Sequence, residues 1–328
     1  MQKNDDINYG EAILAGFEYL LTRYPKVFTM GQGLWSPWYV GNSMTNLDKK
    51  FGQERVIDTP ISELSTTGMA IGASLLGYRP IIVYPRMDFM ILAMDQIVNQ
   101  AAKWRHMLGG QSHAPVTFRS IINRGGEQGA QHSQALHAWF AHVPGLRVVM
   151  PYSVRDARDL LIAAVLCDDP VMYIDDRWLY SNTDTLPPVT EQRLVDQRPE
   201  VRHPGQHITL VAAGYSVHLA LEAAKALEEE KISCEVVDLR VINPLDIAPV
   251  VASVARTGRL CVIDGGWRTC GLAGEVIAAV VEKLPVATLK ASPRRLTLPD
   301  APAPSSKPLE DLYYTTVKQI MQTVREMS

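Results

Sequence analysis

The chain has 328 residues, of which 47% are hydrophobic and 20% are charged, so it can bury a large core and has the length of two domains. A formal net charge of −3 gives no support for a nucleic-acid partner or an anionic membrane partner. The sequence shows no apolar signal-peptide core and no uninterrupted apolar stretch of the ~18 residues that a membrane span needs, so we expect a cytoplasmic protein. The four cysteines are scattered without zinc-type spacing, which predicts reduced thiols and no structural metal.

The first elements in the chain are a helix and a short strand. Residues 8–24 carry apolar side chains at helical spacing, and the strand 27–30 ends in a G-x-G turn at 31–33. That turn is a weak sign of dinucleotide binding, because residues 34–37 supply no third glycine to open a helix.

The stretch 55–80 contains one carboxylate in an otherwise small and apolar helix. Glu63 is the only acid between Asp58 and Asp88. If the segment is buried, this carboxylate must be paired, or protonated and hydrogen-bonded. The alternative is a carboxylate at a helix start that only complements the helix dipole.

Strands and helices continue to alternate after this stretch. We predict strands at 80–84 and 115–119 with a helix over 90–107 between them. This alternation indicates parallel βαβ units and a buried sheet. Phe89, just ahead of the helix, is on its own most simply a core residue.

Three of the eight histidines follow in a glycine-rich segment. His132, His137 and His142 are five residues apart, which does not place all three on one helical face for a metal. His132 precedes a helix that we predict to begin near Ser133, where it is either a solvated loop residue or one that projects toward a cleft.

The remaining chain predicts a second domain of the same class. A helix capped near Ser153 and a closing strand at 171–174 complete a first domain over residues 1–180. Residues 181–206 are polar, contain four prolines and lack periodicity, which predicts a linker. Residues 207–328 again alternate strands and helices, so we expect an α/β protein of two domains, each a mostly parallel sheet flanked by helices.

Several segments resemble the beta subunits of thiamine-diphosphate-dependent 2-oxoacid dehydrogenases, the decarboxylating component related to transketolase. The resemblance covers residues 8–325. Its motifs are D-T-P-I-x-E-x-x-x-T-G-x-A-x-G-A at 58–73, Phe89 followed by D-Q-I-x-N-x-A-A-K at 95–103, A-Q-H-S-Q at 130–134 and D-L-R-x-I-x-P-L-D at 238–246.

The resemblance implies roles for three residues. Glu63 would bind the ring nitrogen of the cofactor's aminopyrimidine and share a proton with it, which makes it both catalytic and cofactor-binding. Phe89 would stack on the pyrimidine, and His132 would act on the substrate as a second catalytic residue. The segments 31–45 and 119–127 depart from the family pattern, which places acidic residues in the first of them.

The family's G-D-G…N-N motif, which holds magnesium and the diphosphate, is absent from the sequence. The resemblance therefore implies thiamine diphosphate shared with an alpha subunit that holds Mg²⁺, in an α₂β₂ assembly. No residue of this chain is predicted to bind metal.

Three functions follow from these motifs. The first is the beta subunit of an enzyme that decarboxylates a 2-oxoacid and transfers the acyl group to a lipoyl acyltransferase. The second is a two-chain, transketolase-like or acyloin-forming carboligase that uses an aldehyde as acceptor. The third is a non-catalytic scaffold subunit that has kept only the fold.

Overall fold

The computed structural model describes residues 6–36 and 40–328, so residues 37–39 of the divergent segment 31–45 lie outside the described residues. The chain divides into two compact units. The first comprises Met1–Asn123 and Phe140–Gln197, and the second comprises Arg124–Trp139 and Arg198–Ser328.

Two groups of strands carry the two units. Those of the first unit are β1 Ile7–Asn8, β2 Val27–Gly31, β3 Val56–Asp58, β4 Arg79–Tyr84, β5 Thr117–Ile122, β6 Arg147–Val149, β7 Val171–Asp176 and β8 Thr183–Asp184. Those of the second are β9 Glu200–His203, β10 Ile208–Ala212, β11 Cys234–Asp238, β12 Val241–Asn243, β13 Leu260–Trp267 and β14 Arg294–Leu298.

The helices lie between these strands. In chain order they are α1 Tyr9–Arg23, α2 Leu47–Phe51, α3 Glu63–Leu75, α4 Met87–Met90, α5 Ala102–Met107, α6 His137–Ala141, α7 Val154–Leu166, α8 Tyr215–Glu228, α9 Ala248–Thr257, α10 Leu272–Val281, α11 Lys307–Tyr313 and α12 Val317–Met327. Helix α1 agrees with the predicted span because its ends are set locally: Asn8 and Glu11 form a capping box.

A parallel sheet forms the centre of the first unit, with the strand order β6-β7-β5-β4-β2-β3. Strands β5 and β7 are buried along their whole length, as expected for parallel strands covered on both faces. The chain runs from β2 outward to the edge strand β3 and then returns to β4 on the other side of β2. The order in which strands are added to the sheet therefore reverses between β2 and β4, which makes this a topological switch point.

The sheet of the second unit has the order β14-β13-β10-β11-β9 and is parallel except at β9. The predicted α/β class with two mostly parallel sheets is confirmed. Strand β9 lies in the segment predicted to be a linker. The strand was not predicted because its sequence is polar. An edge strand needs no apolar periodicity, and here Arg202 Nη2 forms an ion pair of 2.9 Å with Asp238 Oδ2.

Two helical predictions differ from the structure. The helix expected to begin near Ser133 begins at His137, and the residues before it form a turn and an irregular stretch. The helix expected over 90–107 is interrupted by a 3₁₀ turn at Ile91–Ala93 and a π-helical turn at Gln96–Ala101. In the part of the chain that the structure describes, no helix is both long and apolar enough to span a bilayer.

Candidate active site

A pocket in the first unit lies at the carboxyl ends of β2 and β4, where the direction of the sheet changes. In open α/β sheets this switch point is the usual position of a ligand, because the loops diverge there and leave a crevice. The pocket is lined by Gly31, Gln32, Thr59, Glu63, Thr66, Ile82, Val83, Tyr84, Pro85 and Phe89.

Glu63 is the first residue of α3 and is 7% exposed. The side-chain amide of Gln32 donates a hydrogen bond of 2.8 Å to Glu63 Oε1. Within residues 6–36 and 40–328, the other carboxylate oxygen, Oε2, has no hydrogen-bond partner. A buried carboxylate with one held and one unused oxygen does more than complement a helix dipole, and it is suited to exchange a proton with a ligand.

A hydrogen-bonded pair fixes the first turn of α3 against the end of β4. The Thr67 hydroxyl donates to the Glu63 carbonyl oxygen at 2.6 Å and lies 2.6 Å from the Tyr84 hydroxyl. Burial raises the pKa of Tyr84, and the nearby Glu63 charge acts in the same direction, so the phenol stays neutral. The carboxylate is thus mounted on a rigid helix start rather than on a loop.

The turn that carries Gln32 is shaped by glycine on both sides. A Cβ at Gly31 would lie 2.4 Å from the carbonyl oxygen of Val83, so only glycine allows β2 to approach β4 this closely. Gly33 has φ +66° and donates its N–H to Asp58 Oδ1 at 2.6 Å. Gln32, which lines the pocket, was not predicted as a site residue, and the G-x-G turn is the local sequence feature that marks its position.

The structure brings Glu63 and Phe89 together in this one pocket, with Phe89 half-buried at α4. His132 belongs to the second unit. It lies half-buried in a turn, where its N–H reaches the Gly129 carbonyl oxygen at 3.4 Å. Among the described residues, no group of three or more His, Cys, Asp or Glu side chains is arranged to hold a metal ion.

Known families match both halves of the chain. Residues 5–182 match the transketolase pyrimidine binding domain, and residues 198–320 match the transketolase C-terminal domain. A solved structure of a split gene transketolase, an inactive beta4 tetramer, has the same fold, with a TM-score of 0.78 and 22% identity over 98% of each chain. The matches define a transketolase-like protein.

Curated relatives show which family of transketolase-like proteins the chain is similar to. The chain is 37% identical over 321 residues to the pyruvate dehydrogenase E1 component subunit beta of Rickettsia bellii, which covers 98% of each chain. It is 36% identical over 319 residues to the mitochondrial protein of the same name from Bos taurus, covering 96% of this chain and 89% of that one. The chain therefore belongs to the E1 beta-subunit family of 2-oxoacid dehydrogenases, which confirms the family predicted from its motifs.

Proposed function

We propose that the chain is the beta subunit of a thiamine-diphosphate-dependent enzyme that decarboxylates a 2-oxoacid and passes the acyl group to a lipoyl group. The relatives are named for pyruvate dehydrogenase, which supports pyruvate as the substrate. The observation that carries the proposal is the buried Glu63 carboxylate at the switch point, with one oxygen held by Gln32 and the other unused among the described residues.

The residues present fit the pyrimidine half of this cofactor. The pocket combines a carboxylate that can hold a proton for a ring nitrogen with the flat apolar face of Phe89. When bound, thiamine diphosphate supplies the electron sink for cleavage of the bond between the carboxylate and the 2-oxo carbon.

This chain's own contribution is to hold and move one proton. Gln32 donates to Oε1 of Glu63 and so orients the carboxylate, and Oε2 carries the proton for the ring nitrogen. Phe89 packs on the pyrimidine and keeps water from that face. His132 donates a hydrogen bond or a proton to the substrate.

We propose that an alpha subunit supplies the diphosphate half of the site together with Mg²⁺, in an α₂β₂ assembly. Two observations support this: the relatives are named as beta subunits, and the G-D-G…N-N motif is absent from the sequence. A lipoyl acyltransferase as a further partner and a cytoplasmic location are part of the same proposal.

The test is an acceptor assay on the chain co-expressed with its alpha subunit. Release of CO₂ from pyruvate is measured with oxidised lipoamide or with an aldehyde as acceptor, for the wild type and for Glu63→Gln. We expect acyl transfer to lipoamide that the substitution abolishes. Turnover only with the aldehyde would establish the carboligase instead, and a complex with no activity and no cofactor binding would establish the scaffold.

A further inference from the structure

The segment Arg124–Trp139, here called the His132 loop, is attached to the second unit ahead of His132. The Arg124 guanidinium donates to the Gly265 carbonyl oxygen at 3.2 Å. The backbone N–H of Glu127 donates to both carboxylate oxygens of Glu310, at 3.1 and 3.2 Å. The loop backbone between these contacts and His132 is tightly turned, since its left-handed residues are Gly125, Gly126, Glu127 and Gly129.

A second attachment lies five residues beyond His132. The His137 side chain is 2% exposed, and its Nε2 lies 2.8 Å from Oδ1 of Asp264. Asp264 also accepts hydrogen bonds from the backbone N–H of Gly266 at 2.9 Å and of Ala273, in the first turn of α10, at 3.1 Å. The contacts made by Arg124 and His137 therefore reach neighbouring residues of β13, Gly265 and Asp264.

Glycines make this double attachment possible. A Cβ on Gly265 would lie 2.8 Å from Arg124 Nη1, and a Cβ on Gly266 would lie 3.0 Å from His137 Cε1. A side chain at Gly265 would require the Arg124 guanidinium to shift, and one at Gly266 would press on the His137 ring.

The charge state of Asp264 decides which partner supplies the hydrogen in its bond with His137. Burial by itself raises the pKa of Asp264, but the charge and hydrogen bond of His137 and two backbone N–H groups outweigh burial and lower it. The carboxylate is therefore ionised and can only accept, so His137 Nε2 carries the hydrogen. The other ring nitrogen, Nδ1, is buried and has no hydrogen-bond partner in the part of the chain that the structure describes.

A buried histidine whose Nδ1 has no hydrogen-bond partner among the described residues contributes less to folding stability than an apolar side chain would. Well-packed apolar residues of similar size generally stabilise at least as well as a buried ion pair. The pair does fix the position of the chain, since it joins the His137 side chain at the start of α6 to the Asp264 carboxylate on β13.

We propose that His137 and Asp264 are positioning residues that hold the His132 loop in the conformation in which His132 meets the substrate. The inference rests on the proposed function, because it takes His132 to act on the substrate. It assigns no contact with the substrate to His137 or Asp264.

The test is a double-substitution cycle in the complex with the alpha subunit, using pyruvate and oxidised lipoamide. We expect His137→Asn to lower kcat about tenfold or more with little change in KM, because a displaced acid or base group costs rate rather than affinity. His137→Gln should recover part of the loss, since its amide nitrogen takes the place of Nε2. In a His132→Ala background, His137→Asn should have no further effect, because the two residues act through one step.

A second measurement, hydrogen exchange, tests the loop conformation without depending on enzyme turnover. Hydrogen exchange of the cofactor-free complex should speed up in peptides covering 124–139 in His137→Asn, while peptides from the sheet of the first unit stay protected. The exposed His142, changed to Asn, is the matched control and should change neither readout. If His137→Asn does not assemble, Arg124→Met tests the other attachment in the same cycle.

The inference would be overturned if the kcat losses of the His132 and His137 substitutions multiplied in the double variant, or if hydrogen exchange in the loop did not change. In that case turnover that still depends on Glu63 would leave the proposed function intact. Turnover that does not depend on Glu63 would instead overturn the proposed function. The two failures are thus distinguishable.

Discussion

Two of the buried carboxylates, Glu63 at the start of α3 and Asp264 in β13, differ in their surroundings. In the part of the chain that the structure describes, the Glu63 carboxylate accepts one hydrogen bond, from Gln32 to Oε1. Asp264 is met by an imidazole and by two backbone N–H groups, and both of its oxygens are used.

This difference separates a ligand site from an attachment site. A carboxylate whose two oxygens both accept hydrogen bonds within the chain, as in Asp264, contributes to the folded structure. A carboxylate with an unused oxygen in a pocket leaves part of its hydrogen bonding to a bound molecule. Exchanging each acid for its amide should therefore lower activity without loss of stability at Glu63, and should lower stability and release the His132 loop at Asp264.

The largest effect is expected at Glu63. Glu63→Gln keeps the shape and can still accept from Gln32, but it cannot carry a proton to a ring nitrogen. We expect kcat of the complex to fall about a thousandfold, in the range of general acid–base contributions. Denaturant unfolding of the variant should stay within about 0.5 kcal/mol of wild type, since no buried pair is broken. A variant with normal turnover would refute the role of Glu63.

The second effect is on stability. In Asp264→Asn the amide nitrogen would face a backbone N–H at Gly266 or Ala273, two donors with no acceptor. We expect the free energy of unfolding to fall by about 3 kcal/mol, as when one partner of a buried pair is removed. Denaturant melts of the purified chain measure this. A loss as small as that of Glu63→Gln would remove the distinction between the two carboxylates.

The pH dependence of stability sharpens the same point. The folded-state pKa of Asp264 lies below the unfolded value of about 3.9, so its contribution is fully present above that value and is lost as pH falls through the folded pKa. We expect the unfolding free energy of wild type to decline more steeply than that of Asp264→Asn between about pH 5 and pH 2. Melts across this pH range check it, and parallel curves would contradict it.

The smallest effect is expected at Gln32. Gln32→Leu removes the donor that holds Glu63 Oε1 while keeping most of the side-chain volume. Loss of one such hydrogen bond, about 1 kcal/mol, should weaken thiamine diphosphate binding to the complex about fivefold. Calorimetric titration measures this, with His142→Asn as the control. An unchanged affinity would show that the amide does not orient the carboxylate.

The sequence predicted what local patterns control. Helix α1 was predicted because its apolar spacing and the capping box at Asn8 act within a few residues. Strand β9 was missed because its pairing with β11 depends on an ion pair across 36 residues, between Arg202 and Asp238. Helix α6 begins later than expected because a tertiary contact, His137 to Asp264, fixes its first residue.

The candidate site also combines residues predicted from local motifs with residues that only tertiary contacts reveal. Glu63 and Phe89 were predicted as site residues from the motifs that contain them, and both line one pocket in the structure. Gln32 was missed because its contact spans 31 residues and follows from the order of the strands, which places the ends of β2 and β4 side by side. The pairing of Asp264 was not predicted, since nothing in its own segment indicates a histidine 127 residues away.

The central claim is that this chain supplies one half of a cofactor site. It is tested most directly by calorimetric titration of thiamine diphosphate with Mg²⁺ into this chain alone, the alpha subunit alone and the assembled complex, each complex prepared with wild type and with Glu63→Ala. The account predicts tight binding by the wild-type complex, no tight binding by either chain alone, and clear weakening by the substitution. Tight binding by this chain alone, or equal binding by the Glu63→Ala complex, would contradict it.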